Sequence, residues 1–321
     1  MGPFSFALFH AFLPVATALP STLFVASPTG ALCRLDPATG ALLASVDARV
    51  TDLAIDGDGV WTVEPGDEQP GRLARYRTTD AGFALDRSLP FGGLDGRLLY
   101  ASSAPLVASL DEGATLALAS AAGGVGLAWP TPASAHVTLA FGALRVATLD
   151  DATVPWRVHH AVVSEDVIAL PSTPLPTPHA PCGGRLVVGR RATVLAVVDS
   201  TLVELDGAHV VARAPVPPGS CVEDAVALTD GRVAALVGPH ATLVLLGASP
   251  PVVLSLSAAP LPHAPWLSHR LAHDAARDRL WAALDGELVA IDLGPTPTVL
   301  SLAAGCSATA VVVGSGAASS L

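Results

Sequence analysis

Lysine and asparagine are both absent from the 321 residues of this chain, and each absence excludes a kind of chemistry. Without lysine there is no Schiff-base nucleophile and no phosphate-loop lysine, and without asparagine there is no N-linked glycosylation. All 17 basic residues are arginines, and 28 acidic residues outnumber them, for a net charge of −11. Because nucleic-acid binding needs a basic surface, no nucleic-acid partner is expected.

Charged and aromatic side chains are scarce, at 14% and 5%, whereas 51% of the residues are hydrophobic. The mean hydropathy is +0.53. Strands that are buried on both faces would give this composition without a membrane. Beyond the N-terminus, no segment approaches about 18 apolar residues unbroken by Gly, Pro or charge, so no membrane span is predicted.

The N-terminus has the order of a signal peptide but lacks its basic start. Residues 4–15 are apolar, and Ala16-Thr17-Ala18 forms an A-x-A site. No basic residue precedes the apolar run, and His10 and Pro14 interrupt it. Residues 1–20 are therefore predicted to be either a cleaved signal peptide or an apolar N-terminal arm. The first places the protein in the periplasm or outside the cell, and the second leaves it in the cytoplasm.

What the chain has in abundance is one short β-unit, repeated. Each copy is an apolar strand, a tight turn, a second strand, a turn rich in Gly, Pro or Asp, and a third strand. The clearest copies are residues 21–48, 194–216, 232–258 and 279–303. Such a repeat at a period of about 40 residues is typical of a β-propeller with four strands in each blade.

Counting strands gives seven blades. One blade is clear, with strands at 51–56, 60–65, 72–77 and 83–89, and two less regular ones occupy residues 97–130 and 136–172. Three more begin at residues 185, 223 and 269. If the irregular strands at 97–172 merged, the ring would have six blades instead.

One strand is left over, and it completes the ring. The N-terminal triplet 21–48 lacks an innermost strand, and residues 307–314 at the C-terminus supply one. Pairing them removes two exposed sheet edges. We therefore predict an all-β fold, a seven-bladed β-propeller of four-stranded blades over residues 21–314, closed by pairing the N-terminal strands with the C-terminal strand. Residues 315–321 are predicted to be a flexible tail.

The segment 23–63 resembles the YVTN-type repeat of bacterial seven-bladed propellers. The matching features are the aromatic in Leu23-Phe24-Val25, the Asp-Pro-Ala-Thr-Gly turn at 36–40 and the Asp-Gly before the next strand. Later repeats match only in their strand pattern. The resemblance implies the fold and an extracytoplasmic location, but no activity. Sugar-lactone hydrolase propellers are similar in fold, but their asparagine metal ligand has no counterpart in this chain.

Candidate binding residues lie where outer strands cross to inner strands, because all such crossings reach the same face of a propeller, around the channel mouth. Three of the four cysteines precede innermost strands in this way, together with histidine, tryptophan and acidic residues. The predicted ligand-binding residues are His179, Cys182, Cys221, Glu223, Asp224, His263, Trp266, His269 and Cys306.

Two interpretations of these residues stay open. Thiolate and imidazole suit Zn or Cu, but the sequence has no C-x-x-C or H-x-x-x-H pair. The alternative, which we favour, is that cysteine fills the tight start of an inner strand and histidine caps a loop. No cofactor is therefore predicted, although Zn or Cu remains the less favoured option. If a disulfide forms, Cys182 and Cys221 are the expected pair, and Cys33 is expected to be a buried free thiol.

No contiguous catalytic motif is present, and this suggests a non-enzymatic function. The sequence predicts a binding or scaffolding propeller that presents its channel mouth to a protein or small ligand. The alternative is a metal-dependent hydrolase or a redox enzyme that uses the Cys/His set.

Overall fold

The computed structural model of this protein consists of strands and turns. It describes residues 19–56, 59–65, 71–90, 97–100, 106–110, 115–120, 123–128, 138–141, 145–150, 157–163, 167–174, 185–188, 194–198, 201–206, 209–215, 221–246, 252–257, 259, 261, 269–300, 302 and 304–316. These residues contain no helix, which confirms the all-β prediction. It follows that no helix among them is long and apolar enough to cross a membrane.

In the described chain, 28 strands follow one another. They are β1 (Leu19–Ser27), β2 (Ala31–Leu35), β3 (Leu42–Asp47), β4 (Asp52–Asp56), β5 (Gly59–Glu64), β6 (Arg72–Thr79), β7 (Gly82–Pro90), β8 (Arg97–Tyr100), β9 (Leu106–Leu110), β10 (Thr115–Ser120), β11 (Gly123–Ala128), β12 (Thr138–Phe141), β13 (Arg145–Asp150), β14 (Arg157–Val163), β15 (Val167–Pro174), β16 (Arg185–Val188), β17 (Val194–Val198), β18 (Thr201–Asp206), β19 (His209–Pro215), β20 (Cys221–Ala227), β21 (Val233–Gly238), β22 (Thr242–Leu246), β23 (Val252–Ser255), β24 (Leu271–Asp274), β25 (Arg279–Leu284), β26 (Glu287–Asp292), β27 (Thr298–Leu300) and β28 (Ala310–Gly316).

Within the described residues these strands form seven antiparallel sheets of four strands each. Six sheets consist of consecutive strands, from β4–β7 to β24–β27, and the seventh has the order β28-β1-β2-β3. The strands predicted at 51–56, 60–65, 72–77 and 83–89 correspond to β4–β7. Strands β1 and β28 extend beyond the predicted 21–314, since β1 begins at Leu19 and β28 ends at Gly316.

In the sheet that joins the two ends of the chain, β1 pairs with both β28 and β2. Val25 pairs with Val311 of β28 on one side and with Cys33 of β2 on the other. The first strand of each sheet also contacts the first strand of the next, in the order β28, β4, β8, β12, β16, β20, β24 and back to β28. We call these seven strands the inner strands.

Burial follows position within a sheet. Strands β5 and β21, second in their sheets, are buried along their whole length. The outermost strands β3 and β23 alternate between exposed and half-buried residues. A neighbouring sheet covers each face of the middle strands, whereas an outermost strand has water on one side. Mostly apolar middle strands and alternating outer strands are therefore the pattern that this packing favours.

The hydrophobic core lies between neighbouring sheets. Trp281 of β25 is fully buried and packs with Leu23 and Val25 of β1. On the other face of the sheet that contains β1, Phe24 packs with Leu53 of β4. Because odd and even residues of β1 face different sheets, this one strand holds both neighbours in place.

The Asp-Pro-Ala-Thr-Gly segment forms the turn between β2 and β3. The Asp36 carboxylate accepts hydrogen bonds from the backbone N–H of Ala38 at 2.7 Å and of Thr39 at 3.1 Å. Gly40 closes the turn with φ +75°, a left-handed conformation that favours glycine. The Asp36 side chain therefore supplies hydrogen-bond acceptors for backbone N–H groups that have no backbone partner within the turn.

Candidate functional site

Five ionisable side chains gather near the starts of three inner strands. Asp52 opens β4, Glu223 and Asp224 lie near the start of β20, and His269 and Arg270 precede β24. Asp52, Glu223 and Arg270 are each only 1% exposed, and Asp224 is 9% exposed. Burying charged groups is costly unless they are paired, so such a cluster needs specific partners.

The centre of this cluster is a hydrogen bond between a histidine and a carboxylate. The Nδ1 atom of His269 lies 2.7 Å from Oδ1 of Asp52. The Asp52 side chain is 2% exposed, whereas that of His269 is 24% exposed. The same Asp52 oxygen accepts a hydrogen bond from the backbone N–H of Leu53 at 2.9 Å. A buried, anchored carboxylate thus orients an imidazole that solvent can reach.

The two residues come from sheets that are not neighbours. Asp52 belongs to the β4 sheet and His269 precedes the β24 sheet, and the β28 sheet lies between them in the order of inner-strand contacts. The backbone N–H of Val311 in β28 donates to the carbonyl of His269 at 2.7 Å. The pair therefore spans three sheets, and β28 supports it from the middle.

His269 has an unusual backbone conformation, with φ +61°. A non-glycine residue in this left-handed region costs about 1–3 kcal/mol and persists only where its surroundings impose it. Three hydrogen bonds fix the segment here: that from Val311, one from Ala283 N–H to the Arg270 carbonyl at 2.8 Å, and one from Leu271 N–H to the Asp224 carboxylate at 2.7 Å. Asp224 is thereby a positioning residue for the segment that carries His269.

The pKa of His269 is raised above its ordinary value. Burial disfavours the charged imidazolium, but the charge of Asp52, its hydrogen bond and the charge of Asp224 together outweigh that effect. The pKa of Arg270 is lowered, because burial disfavours the charged guanidinium by more than the nearby carboxylates of Glu223, Asp224 and Asp285 favour it. The Arg270 guanidinium lies 3.8 Å from the Glu223 carboxylate.

A histidine held in this way can exchange protons with a bound molecule. With Nδ1 donating to Asp52, the neutral ring has a basic Nε2, and the carboxylate stabilises the imidazolium that forms on proton uptake. Among the residues that the structure describes, no three His, Cys, Asp or Glu side chains are grouped so as to hold a metal ion.

The structure brings together three of the predicted site residues, Glu223, Asp224 and His269. Cys221 is the first residue of β20. His179, Cys182, His263 and Trp266 lie outside the described residues, and their predicted role is untested.

Cys306 does not open an inner strand. It lies in the connection before β28 and forms a disulfide with Cys33 of β2. The prediction that Cys33 is a free thiol is therefore wrong. The error came from placing Cys306 at the start of β28, which begins four residues later at Ala310. The connection instead passes over β1 and β2, where Cys306 packs in the core cluster that contains Cys33.

Asp52 and Arg270 were not among the residues predicted from the sequence. Both follow the same pattern, a charged residue directly before an apolar pair at the start of an inner strand, Leu53-Ala54 in β4 and Leu271-Ala272 in β24. Since an inner strand has little contact with bulk water, this pattern was a usable signal for a buried polar site.

Solved structures share the fold of this chain at low identity. A functionally unknown protein from Desulfotomaculum acetoxidans matches with TM-score 0.70 and 10% identity over 92% of this chain and 99% of its own. The periplasmic gluconolactonase of Pseudomonas aeruginosa gives 0.67 and 12%, over 90% and 97%. A provisional 6-phosphogluconolactonase from Bacteroides uniformis gives 0.64 and 14%, over 92% and 100%.

These likenesses establish a propeller-like fold. No family model matches the chain, and no curated protein does. The YVTN-type resemblance therefore stays a prediction, and the identities of 10–14% support the fold alone.

The prediction of a non-enzymatic scaffold is wrong in the light of these neighbours. Those named for an activity include lactonases, which are enzymes on this fold. The prediction relied on the lack of a contiguous catalytic motif. In this chain the histidine and its carboxylate are 217 residues apart, so no local motif could reveal them.

Proposed function

We propose that this protein is a hydrolase-like enzyme that opens a lactone ring, built on a closed seven-bladed propeller. The cyclic order of inner-strand contacts and the pairing of β28 with β1 support the closed ring. The lactonase names among the structural neighbours support the reaction class. The YVTN-type resemblance of residues 23–63 agrees with the same architecture.

His269 is the general base in this proposal. Its neutral Nε2 takes a proton from a water molecule as the water oxygen bonds to the lactone carbonyl carbon. The ring C–O bond then breaks, and the imidazolium returns the proton to the departing ring oxygen, giving the hydroxy acid. Asp52 keeps the ring in the reactive tautomer and stabilises the imidazolium, as a buried carboxylate does for a catalytic histidine.

One observation carries the proposal: the 2.7 Å hydrogen bond between buried Asp52 and partly exposed His269. A histidine that served only to cap a loop would not require a buried carboxylate from two sheets away. It would also not require a left-handed backbone held by three sheets. The arrangement is costly for stability, and such costs are typical of functional sites.

The test is lactone hydrolysis by the purified protein and by two variants. His269→Asn removes the imidazole and keeps a residue type that tolerates positive φ. Asp47→Asn, at the exposed end of β3, is the matched control. We expect hydrolysis of glucono-δ-lactone, followed as acid release, to fall about 100-fold or more in His269→Asn and to be unchanged in the control. Equal activity in both variants would refute the role of His269.

We also propose an extracytoplasmic location. A disulfide such as Cys33–Cys306 persists in oxidising compartments. Cleavage after the A-x-A site would leave Leu19 as the first residue, which is also the first residue of β1. The N-terminal sequence of the exported protein tests this proposal, and a start at Met1 in the cytoplasmic fraction would contradict it.

A further inference from the structure

We infer that His273 makes the packing between two neighbouring sheets sensitive to acid: when its imidazole takes up a proton, the contact between the β20–β23 sheet and strand β24 weakens. His273 is a buried residue that the proposed reaction does not use. The inference does not rest on the proposed function, and it is tested without a substrate.

His273 faces the β20–β23 sheet. Alternate residues of a strand share a face, so His273 lies on the same face of β24 as Leu271. Leu271 packs in a core cluster with Leu228, which follows β20, and with Leu236 of β21. Across the strand pair, His273 is opposite Leu280 of β25, which belongs to the same cluster. The imidazole therefore continues an apolar contact between two sheets.

The imidazole is enclosed, and one of its nitrogens has no hydrogen-bond partner in the described part of the chain. The His273 side chain is 6% exposed. Its Nε2 atom is buried and makes no hydrogen bond to a described residue. Oδ1 of Asp278 lies 3.8 Å from Nε2, which is too long for a hydrogen bond. A neutral ring fits this position, whereas an imidazolium would place a charge where Nε2 has no acceptor.

Three carboxylates lie near this imidazole, those of Asp274, Asp230 and Asp278. Asp274 follows His273 in β24, and its carboxylate accepts a hydrogen bond at 2.9 Å from Arg277. Asp230, in the turn between β20 and β21, forms an ion pair with Arg232. Each of these two carboxylates therefore has an arginine that offsets its charge at His273.

The third carboxylate, that of Asp278, is largely in water. Its side chain is 58% exposed in the turn between β24 and β25. The Leu293 N–H donates to the Asp278 carbonyl at 2.9 Å and holds its backbone. Arg279 of β25 faces another sheet, where it donates to the Pro37 carbonyl at 3.1 Å. The result is that burial lowers the pKa of His273 by more than the carboxylates raise it.

The direction of the pH effect follows from this lowered pKa. The unfolded chain takes up the proton near the ordinary pKa of 6.5, before the folded protein does. The stability that the neutral ring contributes is therefore complete above pH 6.5 and is lost as pH falls through 6.5 towards the lowered pKa. The contribution of His269 has the opposite sign, so the two histidines need separate variants.

The closing experiment follows urea unfolding of the full chain from about pH 7.5 to about pH 5. The matched variants are His273→Gln and His240→Gln, the second at an exposed histidine in the turn between β21 and β22. We expect the wild-type midpoint, measured against that of His273→Gln, to fall by about 0.3 M or more over this range. Measured against His240→Gln it should stay constant. A constant difference between wild type and His273→Gln would overturn the inference.

A second variant tests the role of the neighbouring charge. Asp278→Asn removes the carboxylate at 3.8 Å, and asparagine tolerates the φ of +49° at that position. Without this charge the pKa of His273 should fall further, so the loss of midpoint in acid should be larger than in the wild type and in Asp47→Asn. An NMR titration of the wild-type imidazole measures the pKa whatever the stability of the variants. A titration at or above pH 6.5 would contradict the inference.

Hydrogen exchange locates the effect in the structure. After correction for the intrinsic pH dependence of exchange, the backbone amides of β24 should exchange faster at about pH 5 in the wild type than in His273→Gln. Those of β5, in a distant part of the ring order, should exchange alike in both proteins. Equal acceleration in β5 would mean that acid destabilises the whole fold and would refute a local loosening of β24.

Discussion

His269 combines a left-handed backbone with a hydrogen bond to a buried carboxylate. Neither feature is visible in the local sequence Leu267-Ser268-His269-Arg270. Both arise because β28 and the Asp224 carboxylate hold the segment in place from either side. At the residue scale, the proposed chemistry therefore depends on how one imidazole is positioned and charged.

The raised pKa of His269 predicts the direction of pH dependence. In the proposed mechanism the neutral ring is the base, so activity should rise with pH through an apparent pKa above the ordinary 6.5. The contribution of the His269–Asp52 pair to the free energy of unfolding changes with pH in the opposite direction, decreasing as pH rises. The stabilisation from the charged pair is fully present below pH 6.5 and is lost as pH rises through the raised pKa.

The variant Asp52→Asn tests this dependence. Removing the carboxylate leaves the burial that lowers the His269 pKa, so the acid limb of the kcat/KM profile should move to lower pH. The maximal rate should also fall, by about 100-fold. An NMR titration of the imidazole measures the same shift without substrate. An unchanged titration in Asp52→Asn, equal to that of the Asp47→Asn control, would contradict the assignment.

Among the connections between elements, the one from β27 to β28 is fixed to the sheet that it completes. The Cys33–Cys306 disulfide joins it to β2. Gly305 N–H donates to the Gly40 carbonyl at 3.1 Å, and the hydroxyls of Ser27 and Ser307 lie 2.9 Å apart. These contacts fix the residues directly before β28, the strand whose Val311 N–H donates to the His269 carbonyl.

Removing the disulfide should destabilise the whole fold. The bond joins residues 273 apart, and loss of a native disulfide costs about 2–5 kcal/mol of unfolding free energy. We expect dithiothreitol to lower the urea midpoint of the wild-type protein and to leave that of Cys33→Ala/Cys306→Ala unchanged. A wild-type midpoint that does not respond to reduction would contradict the pairing. A response of the double variant would indicate a second disulfide, for which Cys182 and Cys221 are the expected pair.

For the molecule as a whole, the two chain ends meet in one sheet. β28 is the inner strand of that sheet and contacts β4 and β24 on either side. Without β28, the paired edge of β1 becomes free, and apolar residues such as Val25 lose their cover. A bare apolar edge recruits other chains.

Deleting residues 310–321 tests this arrangement and keeps Cys306 in the protein. We expect an aggregated product and no lactone hydrolysis, because Val311 no longer holds the His269 carbonyl. Light scattering and thermal unfolding measure the first effect. A soluble, cooperatively unfolding truncation would mean that the fold does not need β28.

The sequence by itself determined the all-β class, the positions of the strands and the pairing of the C-terminal strand with the N-terminal triplet. These follow from period-2 alternation, from apolar strands and from turns such as 36–40, which depend on residues close in the chain. It also placed Glu223, Asp224 and His269 near inner-strand starts.

Only the tertiary structure decided which of these residues meet. Asp52 and His269 are 217 residues apart, and Cys33 and Cys306 are 273 apart. Their proximity depends on the packing of whole sheets and on the path of a connection over β1 and β2. No local pattern carries that information, because side chains from different sheets come together only when every sheet is in its place.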